Sequence, residues 1–278
     1  MAADDGTVCN GGVRKDIIMA ADDGSVLKKE GETLEKLFDA GLRIIQPSRG
    51  YRFSIDALLL VSFFRELPDE HILEIGTGSG VISLLLARRN PTVRICGIEI
   101  QKELADMARR NAALNGMADR ITIQEGDIRR MGNHFSPGSF DAALFNPPYR
   151  RLRSGKINPD RQKAIARHEV EGGFADFLHG ARRLLKPSGR ITFIYPAPRC
   201  AEAVSRMRRE KIEPKRIRVV HSYPDSEAQF ILAEGIKEGG EELRILPPLF
   251  IYRTGKEYSD EMKELFRSLG ALERENCE

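Results

Sequence analysis

Cysteine is sparse in this chain. Cys9, Cys96, Cys200 and Cys277 stand far apart, which excludes a C-x-x-C zinc site and a disulfide framework and points to a reducing cytoplasm. Long apolar runs are missing as well. The longest, Ala57 to Phe64, is broken by Ser62 and falls far short of the ~20 residues a membrane helix needs. The first residues are acidic and polar, with no basic-then-apolar leader pattern. An excess of one charge sign is also lacking. Lys plus Arg number 44 and Asp plus Glu 41, and the net charge of +3 is too small by itself to imply a nucleic acid. What is present is 41% apolar and 31% charged residues in a chain of 278, enough for a real core. That mix excludes a disordered chain, a collagen, a coiled coil and a disulfide mini-scaffold.

A short repeat opens the chain: Met1-Ala-Ala-Asp-Asp-Gly6 recurs as Met19-Ala-Ala-Asp-Asp-Gly24. It reads as a local duplication, with Met19 an alternative start. Residues 1–41 read as a loosely ordered extension with a short helix over 33–40, where Thr33 is placed to cap and Leu34, Leu37 and Phe38 form a stripe. Residues 42–255 read as the main domain, and 256–278 as a C-terminal helix and tail. Within the domain, strands are predicted at 72–75, 93–100, 121–124, 141–145, 190–195, 216–221 and 230–234. Helices are predicted at 56–65, 81–89, 102–114, 174–185 and 199–210. The alternation implies an α/β fold with a largely parallel sheet covered on both faces.

The first of these strands ends in Glu74-Ile-Gly76-Thr-Gly78-Ser-Gly80. Glycines here allow a sharp turn and close approach of a ligand to the main chain. The third glycine comes one residue too early for a dinucleotide fingerprint, and Glu74 sits badly beside phosphates. An acidic residue suits a cationic ligand. S-adenosylmethionine carries an ammonium and a sulfonium and no phosphate. Glu99 ends the second strand, where a carboxylate can accept both ribose hydroxyls, and Gly126-Asp127 follows the third, where Asp127 can reach an adenine amino group. With this ordered set the sequence resembles the class I S-adenosylmethionine-dependent methyltransferases. The resemblance implies a Rossmann-like fold with a seven-stranded, mostly parallel sheet and helices on both faces. It adds Thr77, Ile100, Ile128 and Asn146 to the expected cofactor contacts.

The fourth strand ends in Asn146-Pro147-Pro148-Tyr149. The prolines fix their own φ and push the residues before them out of the helical region. The Asn146 side chain and the Pro147 carbonyl are then rigidly held acceptors, suited to an amino group with two hydrogens to donate. Two acceptors localise the lone pair of a planar amine toward a sulfonium methyl and stabilise the charge that builds during transfer. Tyr149 offers a face on which a flat target can stack. The same tetrapeptide serves adenine N6, guanine N2 and protein glutamine chemistry, so the target must be read from its flanks.

Arg150, Arg151, Arg153, Lys156, Arg161, Lys163 and Arg167 follow within a loop that holds one acid, Asp160. Seven basic residues beside the reacting corner form a footprint for RNA phosphates. The region from Leu42 to Tyr258 resembles a bacterial family of tRNA adenine-N6 methyltransferases acting on the adenosine next to the anticodon of a valine tRNA. The resemblance is carried by Ile45-Gln46-Pro47, Gly50 to Asp56, the loop at 74–80, Asn146 to Tyr149, Ala164 to Glu169 and Leu246 to Tyr252. It implies Arg52 and Asp56 as polar contacts over the cofactor, tRNA as partner, a cytoplasmic setting, and neither metal, membrane nor obligate protein partner. A protein-glutamine N5 methyltransferase, a guanine-N2 RNA methyltransferase and a non-enzymatic RNA-binding protein remain as alternatives. His71, His134, His179 and His221 are scattered and read as structural or surface residues.

Overall fold

The computed structural model describes residues 27–37, 41–49, 52–147 and 173–270. The chain opens with an antiparallel hairpin, β1 (Glu32–Leu37) and β2 (Leu42–Pro47). The helix expected over 33–40 is therefore not formed, and Glu32–Leu37 is extended. Gly31 and Gly41, both in the left-handed region (φ 78° and 75°), bound a run too short to hold an isolated helix, and β2 offers it a full ladder of hydrogen bonds.

Helix α1 (Ile55–Phe63) follows, then β3 (His71–Ile75), α2 (Val81–Arg89), β4 (Arg94–Glu99), α3 (Lys102–Leu114) and β5 (Ile121–Glu125). After a 3-10 turn at Ile128–Asn133 come β6 (Phe140–Phe145), α4 (Phe174–Leu184), β7 (Leu185–Pro196), α5 (Cys200–Arg209), β8 (Ile212–His221) and β9 (Ala228–Lys237). The described chain closes with β10 (Arg244–Phe250), the small β11 (Tyr252–Thr254) and β12 (Glu257–Tyr258) pair, and α6 (Asp260–Ser268). Among the described residues no helix is long and apolar enough to cross a membrane.

The main sheet has eight strands rather than seven, in the order β10-β8-β9-β7-β6-β3-β4-β5. The extra member is β10, whose Pro247 and Pro248 lack amide donors; it lies on the sheet edge, and its register slips between Leu246 and Leu249. Strands β5, β4, β3, β6 and β7 are parallel, and β9 alone runs against both its neighbours. The chain steps outward from β3 to β4 and β5, then returns to lay β6 on the other side of β3. That reversal is a topological switch point, where an open α/β sheet leaves a crevice beyond its carboxyl ends.

Alternation along the strands builds two cores. Ile72, Ala142 and Leu144 face the cluster with α1, α2 and α6, while Leu73, Ala143 and Phe145 face the one with α4 and α5. Met262, Leu265 and Phe266 of α6 are buried in the first cluster, so the C-terminal helix is part of the fold's core.

Candidate active site

The glycine turn, Glu99, Asp127 and Asn146 all lie beyond the carboxyl ends of adjacent strands. Ile75, the last residue of β3, pairs with Phe145, the last of β6. Gly76 and Asn146 therefore leave the sheet side by side, one strand spacing (about 4.8 Å) apart. On the other flank, the amides of Gly76 and Thr77 donate to the Ile98 carbonyl of β4 at 2.8 and 3.1 Å.

Gly76, Gly78 and Gly80 have φ of 71°, 58° and 84°. At Gly80 a Cβ would also stand 3.2 Å from that of Ala108, so glycine lets the loop press against α3 as α2 begins. Two buried carboxylates frame this loop. Glu99 accepts the Gly78 amide at 2.9 Å through Oε2 and the Gln101 amide at 2.9 Å through Oε1. Glu74 is turned inward and accepts a hydrogen bond from the Ser83 hydroxyl. Burial pushes the Glu74 carboxyl up to about 7, against hydrogen bonds from Ser83 and Thr77 that favour its charged form; the nearby Glu99 charge adds to the rise.

Asp127 caps the 3-10 turn and accepts both the amide and the guanidinium of Arg129. Burial alone would raise its carboxyl, but the bonds from Arg129 hold it below the usual range. Gly126 donates its amide to the Glu99 carbonyl at 2.8 Å, which joins the second and third strand ends. Ile128 is buried in the second core, where a Cβ on Gly180 would meet it, and Ile100 is half-buried. Asp56 is buried in the first turn of α1, and Arg52 pairs with Glu35 of the hairpin. Pro147 is buried and Asn146 half-buried. Pro148, Tyr149 and the seven basic residues from Arg150 to Arg167 lie outside the described residues.

Asn111 was not singled out from the sequence. This fully buried amide accepts the Ile45 amide at 2.7 Å and donates to the carbonyls of Ile45 and Ser79 at 2.9 and 2.8 Å. One side chain thus joins β2, α3 and the glycine loop. The signal was available: Asn111 continues the otherwise apolar stripe of Leu104, Met107 and Ala108. Beneath Asn146, Phe145 stacks on Phe193 (centroids 5.3 Å, interplanar 9°) and meets Phe174 and Phe177 edge-on. The corner therefore stands on a packed aromatic floor.

A switch-point crevice with a left-handed glycine turn and buried carboxylates, rather than cations, at two strand ends suits a cationic, phosphate-free cofactor. It defines the class I methyltransferase architecture. The sequence profile of a family described as a methyltransferase domain matches residues 67–246. A tRNA1(Val) (adenine(37)-N6)-methyltransferase of Porphyromonas gingivalis is 36% identical over 197 residues, covering 69% of this chain and 76% of its own. One from Phocaeicola vulgatus is 32% identical over 178 residues, 64% of this chain and 73% of its own. The solved structure of a predicted O-methyltransferase from Agrobacterium tumefaciens matches in fold, with a TM-score of 0.63 and 22% identity over 79% of this chain and 99% of that one. The chain belongs to the methyltransferase-domain family and, within it, to the family of the tRNA1(Val) (adenine-N6)-methyltransferases. It is an enzyme, and its cofactor is S-adenosylmethionine.

Proposed function

We propose that this enzyme transfers a methyl group to the exocyclic N6 amine of an adenine next to the anticodon of a tRNA, in the cytoplasm. The observation that carries the reading is the β3–β6 register, which sets Asn146 beside the cofactor turn in a chain of this family. Bound S-adenosylmethionine supplies an electrophilic methyl on a sulfonium. The residues present fit it. Glu99 offers acceptors suited to ribose hydroxyls, Glu74 accepts the Ser83 hydroxyl behind the loop, and the glycines let the main chain approach. Arg52, Asp56, Thr77, Ile100, Gly126, Asp127 and Ile128 complete the proposed cofactor environment.

The Asn146 side chain and the Pro147 carbonyl would accept the two N6 hydrogens, orient the nitrogen lone pair and stabilise the developing positive charge. No prior deprotonation is needed, because the amine proton becomes acidic only as the methyl arrives. Pro148 stiffens the corner, Tyr149 stacks on the adenine, and the adenine must leave its own stack to reach them. Arg150, Arg151, Arg153, Lys156, Arg161, Lys163 and Arg167 would neutralise RNA phosphates. Glutamine and guanine transfer lose ground because the relatives' names specify adenine.

Incubation of unmodified valine tRNA with labelled cofactor, followed by nucleoside mass spectrometry, should yield N6-methyladenosine. Asn146→Ala should lower kcat by at least about 100-fold, the scale of one lost transition-state hydrogen bond, while the cofactor still binds. Full activity of that variant would overturn the mechanism.

A further inference from the structure

The carboxyl edge of the sheet extends well past the cofactor crevice. Strand β8 runs parallel to β6 and β7, because β9 is antiparallel to both β7 and β8, and β10 is parallel to β8. The ends of β8 at His221 and of β10 at Phe250 therefore open on the same edge as Asn146. Across the sheet, β8 lies three strand spacings from β6, about 14 Å. An arm of a tRNA is broad enough to cover both.

Beyond that edge one ring is turned out to solvent. Tyr223 stands in the β8–β9 turn and is 37% exposed. The turn holds it in place. Pro224 stiffens the backbone after it, the Ser226 amide donates to the Tyr223 carbonyl at 3.1 Å, and the Ser226 hydroxyl oxygen accepts the Tyr223 amide at 2.9 Å. The Tyr223 hydroxyl donates to the Gly255 carbonyl of the β11–β12 hairpin at 2.6 Å. Tyr223 also leans on Tyr252 (centroids 5.5 Å, interplanar 32°), which stacks on Tyr258, and Tyr258 meets Phe266 of α6 edge-on. Tyr252 and Tyr258 are half-buried and extend the core; Tyr223 is the outermost ring of the row.

A ring that is immobilised in advance loses little entropy when a flat group stacks on it. Two cations stand in the adjoining hairpin. Arg253 and Lys256 are exposed, and among the described residues neither makes an ion pair. Lys256 directly follows Gly255, the residue that anchors the Tyr223 hydroxyl. Asp225 and Glu227 in the Tyr223 turn are exposed too, so the contact rests on the flat ring, with positive charge supplied from the hairpin.

We propose that Tyr223 is a stacking platform for a base of the tRNA outside the target adenine, with Lys256 on a phosphate beside it. The inference rests on the tRNA reading above and adds a second contact on the same edge, on the β8 side of Asn146. Stacking accepts any base, so the platform strengthens and orients the RNA without reading its sequence.

The test measures binding of an unmodified valine tRNA transcript to the full chain between 50 and 200 mM KCl. Tyr223→Ala should bind roughly tenfold more weakly at every salt concentration, with cofactor Kd unchanged and Tyr223→Phe close to the wild type. Lys256→Ala should instead flatten the plot of log affinity against log salt by about 0.7–0.9. The chain has no tryptophan, so Tyr223→Trp keeps a stacking face and adds a single indole reporter. Its emission should be quenched as tRNA is added. Wild-type affinity in Tyr223→Ala, or indole emission that saturating tRNA leaves unchanged, would overturn the platform, while wild-type methylation of the transcript leaves the tRNA reading standing. A wild type that neither binds nor methylates tRNA would sink both.

Discussion

Glu74 shows how far one residue's behaviour is set by its surroundings. Its carboxyl sits at about 7 in the fold, against an ordinary 4.5, chiefly because burial penalises the charge. The folded protein therefore binds the extra proton between those values, so the contribution of Glu74 to stability is fully present below about 4.5, falls as pH rises through the window, and is gone above about 7. The span corresponds to about 3 kcal/mol. Urea midpoints at pH 5 and pH 8 should differ in that direction, and Glu74→Gln should remove this share of the difference. Asn111 is the second such residue. Asn111→Ala leaves the Ile45 amide and the Ile45 and Ser79 carbonyls unpartnered in the interior. A loss of roughly 3 kcal/mol in denaturant unfolding is expected, together with weaker cofactor binding by calorimetry, since Ser79 is part of the glycine turn.

Among the elements, the β1–β2 hairpin depends on α3. Arg110 of α3 donates to both oxygens of Glu32 at 2.7 and 2.6 Å, to Asp106 and to the Leu27 carbonyl. Burial alone would raise the Glu32 carboxyl, but Arg110 and Lys29 outweigh it and hold it below the usual range. Its contribution is present above about 4.5 and is lost as pH falls below that. Arg110→Ala should speed amide exchange across Thr33–Leu37 far more than in β3 or β6, as hydrogen-exchange mass spectrometry would show. The hairpin also marks where pattern reading failed. Leu34, Leu37 and Phe38 have helical spacing, yet two flanking left-handed glycines and a partner strand decided otherwise. By contrast α2 and α3 run over the spans read from the sequence, because α2 is a continuous buried apolar run, α3 carries an apolar stripe, and each is followed by a stop signal.

At the scale of the whole molecule, the C-terminal helix closes the core that begins at α1. Met262 is fully buried there, so Met262→Ala should cost about 2–4 kcal/mol, measured as a shift in the urea midpoint. The far end of the sheet is tied in by a buried ion pair, Arg216 to Glu234 at 2.7 and 2.8 Å, with the Arg216 guanidinium 4.5 Å from the Phe63 ring centroid. Strand β10 escaped the pattern reading because Leu246-Pro247-Pro248 has no ordinary strand signature; an edge position lets prolines join a sheet without breaking its ladder.

The amino-acid order alone determined the alternation of strands and helices, the left-handed turn at Gly76 to Gly80 and the types of side chain at each strand end. Those are local properties: periodicity acts over a few residues, and glycine can take positive φ without the steric cost a side chain would bring. Tertiary structure decided that β6 returns to lie against β3, that Glu74 turns inward and that Asn111 binds the loop. Each of those joins groups distant in sequence, and only packing the whole sheet fixes which strand becomes whose neighbour.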